Sequence, residues 1–244
     1  MVNYEKRSVN HTEHREPYAA RRYSNAQPKK TRRRVIALLC AAVIIFAAVI
    51  YLGHEQTPVS DRPFSTEISA DGFTRPNEKN NLDLVVWAKQ ARDGGWGYVW
   101  GTYGLIMGKK LYKQKLEQYP QSVGDYAEFI SENWVGRRTA DCVGLIKGYE
   151  WLDADTLDIN YCSNGFSDIG ADAMFESAEQ KGEIDSIPET AGLAVWKEGH
   201  IGIYIGGGKV IQAAGTLEGV IETKLRDTEW THWLKIPSLA YYDE

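Results

Sequence analysis

The sequence predicts an α+β domain carried behind a single membrane-spanning helix. Three observations lead there. Residues 35–52 (VIALLCAAVIIFAAVIYL) form an apolar run without charge, Pro or Gly. Between residues 81 and 149 apolar positions recur at helical spacing, whereas between 193 and 236 they alternate, as in half-buried strands. Helices followed by an antiparallel meander make an α+β architecture.

The apolar run spans roughly 27 Å as a helix, close to the roughly 30 Å hydrocarbon core of a bilayer. It divides two oppositely charged pieces. Residues 1–34 hold ten basic and three acidic residues, a net +7, within a chain of 244 residues and net charge −5; the remainder therefore carries −12. Lys29, Lys30, Arg32, Arg33 and Arg34 precede the run and nothing basic comes after it until Arg62. The positive-inside rule then keeps the N-terminus in the cytoplasm and exports the acidic part, giving a single-pass cell-membrane protein. A cleavable signal peptide fits less well, because the charged region is long and no A-x-A site comes after the run. The basic tail reads as a disordered retention signal rather than a nucleic-acid binder. Cys40 reads as one small apolar residue of the span.

Residues 53–79 contain three of the eight Pro and little apolar periodicity, and read as an extracellular stalk. As a random coil it has a root-mean-square reach of roughly 25–30 Å, which confines the domain it carries to the membrane surface or to an envelope protein complex. All eight Trp fall between Trp87 and Trp233, so the folded body is placed at residues 80–244, one domain by length. Asn81 is expected to cap a helix burying Leu82, Val85 and Val86. Ser122 is expected to cap one burying Val123, Tyr126, Ala127, Ile130 and Trp134, and a third opens at Asp141-Cys142 with Val143, Leu145, Ile146 and Tyr149. Strands are expected at 193–197, 200–205, 209–213, 219–225 and 232–236.

No metal-binding or cofactor-binding motif is visible: there is no Cys-x-x-Cys, no His-Glu-x-x-His and no phosphate loop. Gly206–Gly208 reads as a hairpin turn. Cys142 opens a helix, where unpaired backbone N–H groups and the helix dipole favour the thiolate and draw a thiol from about 8.5 toward roughly 3.5–7.5. Buried structural thiols are common, however, and the local sequence alone favours that plainer reading. His200 begins a strand in which it alternates with Ile201, Ile203 and Ile205. A three-residue turn at 206–208 sets Gly202 opposite Gln212, so His200 and Gln212 become diagonal neighbours on one face, about 7–8 Å apart between backbones. Gln212 can then orient the imidazole, as the third member of a Cys–His system does. His232 has no such partner, and His11, His14 and His54 lie outside the body.

Four blocks in order, Gly97-Tyr98-Val99-Trp100-Gly101, Asp141-Cys142-Val143-Gly144-Leu145, Gly199-His200-Ile201-Gly202-Ile203-Tyr204-Ile205-Gly206 and Val210-Ile211-Gln212-Ala213, resemble the NlpC family of bacterial cell-wall cysteine peptidases over about residues 80–240. The resemblance implies a papain-like fold with Cys142 as nucleophile, His200 as general base and Gln212 as the polar third member. It also implies that Tyr98 lies beside the cysteine and that Asp141 takes the free amino group of a peptidoglycan stem peptide. The implied reaction is hydrolysis of a γ-D-glutamyl–diamino-acid bond. Two departures stand out: Val143 replaces the family's usual Ser, which puts specificity for a free N-terminal L-alanine in question, and about forty residues between Trp100 and Asp141 exceed the family pattern. That insertion either walls the groove or decorates the periphery. An amidase or other thiol hydrolase on the same fold, a degenerate wall-binding scaffold, and a Cys142–Cys162 disulfide are the competing readings.

Overall fold

The computed structural model describes residues 59–243. Cys40 and the expected tail (1–34) and membrane span (35–52) lie outside the described residues. No helix among the described residues is long and apolar enough to cross a membrane.

Mixed helix and antiparallel sheet is what forms. Six strands, β3 (Lys181–Glu183), β4 (Ala194–Lys197), β5 (His200–Tyr204), β6 (Lys209–Gly215), β7 (Gly219–Lys224) and β8 (His232–Leu234), pair in the order β3-β8-β4-β5-β6-β7. The register Ile203↔Ile211 and Tyr204↔Val210 is the one a three-residue turn at 206–208 demands. The alternation then sorts the faces: Ile201, Ile203, Ile211 and Ala213 enter the main core, whereas Val195, Tyr204 and Val210 enter a second cluster with Trp230.

Packed on the first face is α4 (Cys142–Glu150), every residue of which is buried. Asp141 caps it, accepting the Gly144 amide at 2.6 Å. The helix crosses so close to the chain at Thr102 that a Cβ on Gly144 would lie 1.9 Å from the Thr102 carbonyl oxygen. Only glycine permits this crossing, which fixes the height of Cys142 above the sheet.

The first helix, α1 (Asn81–Asp93), starts at Asn80 rather than Asn81: the Asn80 side chain accepts the Asp83 amide at 2.9 Å. Asn81 is instead buried, donating to the Ala191 and Tyr242 carbonyls at 2.8 and 3.0 Å and so tying α1 to the C-terminal segment. The buried face also differs from expectation. Val85 is buried as expected, but the face runs through Leu84, Trp87, Ala88 and Ala91, with Leu82 and Val86 only partly covered, because the Trp87 indole reaches the Leu145 carbonyl of α4 at 2.8 Å.

Residues 59–79, expected to be stalk, run along the body instead. Arg137 donates to the carbonyls of Val59 and Arg62 at 2.9 and 3.0 Å, and Gln90 exchanges two hydrogen bonds with Ser69. Ile68 and Phe73 pack on the main core. Backbone carbonyls fastened by distant side chains leave no trace in hydropathy, so composition placed the domain boundary too late.

The region between Trp100 and Asp141 folds as β1 (Tyr103–Ile106), α2 (Lys109–Gln118), α3 (Ala127–Asn133) and β2 (Arg138–Ala140). Ser122 caps nothing; a 3-10 turn at Gly124–Tyr126 precedes α3, and Tyr126 is exposed. Val99, Met107, Val123, Ile130 and Trp134 give the insertion a core of its own, and the Trp134 indole anchors it to the Thr216 carbonyl at 2.7 Å. A short helix, α5 (Ala171–Ser177), and strand β3 were also unexpected.

Glu150, at the end of α4, is buried, and that burial lifts its carboxyl to about 7 against a hydrogen bond from Ser238 and the charge of Lys79. The folded chain thus holds this proton more tightly than the unfolded one. Glu150 contributes fully to stability below about pH 4.5, and the contribution is lost as pH rises through about 7. The change is on the order of 3 kcal/mol. Thermal unfolding should therefore show a Tm falling between pH 5 and 8 that Glu150→Gln flattens; an equal fall in the variant would contradict this.

Candidate active site

Three elements converge at one end of the sheet. The N-terminus of α4 brings Cys142, the start of β5 brings His200 and the middle of β6 brings Gln212. The Cys142 sulfur lies 4.0 Å from the Gly199 carbonyl oxygen and within hydrogen-bonding influence of the Ile201 amide, so it sits against the backbone on both sides of His200. On the face shared by His200 and Gln212, the imidazole Nε2 is 2.7 Å from Gln212 Oε1.

The orientation of Gln212 is set by its other end. Its amide nitrogen donates to the hydroxyls of Thr223 at 2.9 Å and Thr228 at 3.2 Å, which leaves the oxygen to face the ring. An amide oxygen only accepts, so Nε2 carries the hydrogen and Nδ1 is the unprotonated nitrogen. Trp230 stacks on the imidazole, centroids 5.3 Å apart and planes within 8°. Gly202 makes room for it, since a Cβ there would lie 3.1 Å from the Trp230 ring.

The electrostatics differ from the sequence expectation. Burial pushes the Cys142 thiol up to about 12, with the Asp141 charge adding to it. The amides of Ile201, Val143 and Cys142 itself pull the other way, as a helix N-terminus should, but they are outweighed. Burial also lowers the His200 pKa, against the Gln212 hydrogen bond that raises it. At neutral pH Cys142 therefore rests as a neutral thiol and His200 as a neutral imidazole.

Tyr98 is buried, and burial, then the nearby charges of Cys142 and Asp141, raise its pKa, which places its hydroxyl near both residues. The two Asp141 carboxylate oxygens accept the amides of Gly144 and of Gly101, the latter at 2.8 Å. Cys142 and Cys162 are both free thiols, one buried and the other exposed, so the disulfide reading does not hold. His232 is two strands away, paired with Glu183 at 3.3 Å.

Sequence reasoning missed the supports. Thr223, Thr228 and Trp230 lie after the motif blocks, and nothing local marks them. Asp172 of α5 accepts from the Trp196 indole at 3.0 Å and the Gly199 amide at 2.8 Å, and so holds the hairpin that presents His200.

No protein-family model and no curated protein sequence matches the chain. Solved structures similar to it include the NlpC/p60 domain of the peptidoglycan hydrolase SagA, at 21% identity and TM-score 0.35, covering 64% of this chain and 98% of that one. Another is the peptidoglycan hydrolase RipB from Mycobacterium tuberculosis, at 17% identity and TM-score 0.37, covering 89% of this chain and 93% of that one.

A thiol held near 12 should alkylate slowly at neutral pH, and its rate should climb with pH across 6–9 without a low-pH plateau. Peptide-resolved mass spectrometry of iodoacetamide-treated protein measures this at Cys142 separately from Cys40 and Cys162. A rate already maximal at pH 6 would contradict the electrostatic account.

Proposed function

We propose that this chain is a peptidoglycan hydrolase that cleaves stem peptides at a γ-D-glutamyl–diamino-acid bond, using Cys142, His200 and Gln212 on a papain-like arrangement. The observation that carries the reading is the chain of hydrogen bonds from Thr223 and Thr228 through Gln212 to His200. It leaves Nδ1 as the one free base on a strand whose backbone flanks the Cys142 sulfur.

The neutral resting pair dictates where the proton goes. As the sulfur attacks the peptide carbonyl, its proton passes to His200 Nδ1, so thiolate need not accumulate beforehand. The Cys142 backbone N–H stabilises the developing oxyanion, a donor worth roughly 2.7–4 kcal/mol. The imidazolium then protonates the leaving amine, and the neutral ring activates water to hydrolyse the thioester. Tyr98 and Asp141 line the substrate's approach. The apolar run at 35–52 tethers the enzyme in the cell membrane, N-terminus inside and hydrolase domain outside, where membrane-proximal wall is its substrate.

The raised thiol specifically favours one rival, a degenerate wall-binding scaffold. Digestion of purified muropeptides by the full-length chain, with products weighed, separates the two. The hydrolase reading expects new peptide termini that disappear in Cys142→Ala. Gln212→Leu should lose a large part of the roughly 10²–10⁴-fold that a positioned proton carrier supplies. Intact muropeptides, or digestion that survives Cys142→Ala, would sink it.

A further inference from the structure

The insertion bears on specificity. With α4 it borders an open cavity of about 560 Å³, one wall of which is Asp141 and Val143, the residues on either side of Cys142, and another α2 with Gln114, Lys115 and Gln118. The insertion thus walls a cavity that reaches the residues flanking Cys142, although Cys142, His200 and Gln212 do not themselves line it.

Its charges are not equally satisfied. Lys147 meets Asp168 at 2.5 Å, and the Tyr161 hydroxyl donates to the other Asp168 oxygen at 2.8 Å. Asp141 is held by two backbone amides. Lys115 is different. It is only 9% exposed, yet among the described residues it has no carboxylate within 4.0 Å. Its ammonium donates to Gln118 Oε1 at 3.1 Å and lies 5.4 Å from the Tyr119 ring centre. An ammonium has three protons to donate, and although Asp141 and Asp168 in the same cavity favour its charge from beyond ion-pair distance, burial outweighs them and Lys147 opposes them, so the charge is under-compensated. A cavity wall that buries such a group is suited to receive an anion.

We propose that Lys115 is a specificity-determining residue that binds a free carboxylate of the substrate in this cavity, the α-carboxylate of the γ-linked glutamyl residue. The proposal rests on the hydrolase reading above. A γ-glutamyl bond uses the side-chain carboxyl, so the α-carboxyl stays free a few atoms from the scissile carbonyl on the acyl side. The cavity adjoins Asp141, where the resemblance places the acyl-side end of the stem peptide. Val143 adds no hydroxyl there to bind an amine, and the cation arrives from the insertion instead.

The test compares three synthetic stem peptides with the full-length protein: one with all carboxylates free, one with the glutamyl α-carboxyl as carboxamide, and one with the diamino acid's carboxyl as carboxamide. Wild type should lose roughly 10- to 100-fold in kcat/KM on the glutamyl carboxamide alone, the range for a charge-assisted hydrogen bond. Lys115→Met should collapse that ratio toward one and Lys115→Arg should retain part of it. Lys113→Met, an exposed lysine on the same helix, should leave the ratio as in wild type. Equal cleavage of the free and glutamyl-amidated peptides by wild type overturns the proposal whether or not any variant folds. So does a ratio that survives Lys115→Met, or discrimination that tracks the diamino acid's carboxyl. Cleavage of none of the three, or cleavage that survives Cys142→Ala, overturns the hydrolase reading instead.

Discussion

The hydrogen bond between His200 and Gln212 is the contact on which the account depends, and it exists because of a turn. Three glycines at 206–208 set the β5–β6 register so that the two side chains fall on one face. A loop shorter by one residue would move every side chain of β6 to the opposite face and leave Gln212 pointing away from the imidazole. The fixing of the amide by Thr223 and Thr228 then turns a glutamine, which could present either end, into an acceptor. One ring nitrogen is committed and the other is free for proton transfer.

A second balance governs the sulfur. Backbone amides at the start of α4 stabilise a thiolate, but the same close packing that places the helix, with Gly144 against the Thr102 carbonyl, buries Cys142 and sets it beside a carboxylate. Burial wins, so in the proposed mechanism nucleophilicity comes from proton transfer during attack. Such a site is quiet until a substrate fills it, a useful property in an enzyme whose proposed target is the wall around its own cell.

What was legible in the sequence was what local rules determine. Asp141 as a cap, the helix from Cys142, the β4–β8 strands and the Gly206–Gly208 register all come from spacing and turn chemistry, and with them the His200–Gln212 pair. What was not legible depends on contacts between distant segments. Asn81 gave up its capping role to bridge Ala191 and Tyr242; residues 59–79 are held by Arg137 and Gln90; and Lys115 looks like one more lysine on a basic helix until its burial is seen. The thiol was misjudged for a similar reason, since dipole and amides are written locally whereas desolvation is not.

The central claim is that Gln212 holds the hydrogen on Nε2 and leaves Nδ1 as the base, and nitrogen NMR of ring-labelled histidine reads it directly. The account predicts a neutral His200 at pH 7 with a protonated Nε2 and a bare Nδ1, and loss of this single tautomer in Gln212→Leu. A His200 protonated on Nδ1, or a tautomer indifferent to residue 212, would contradict it.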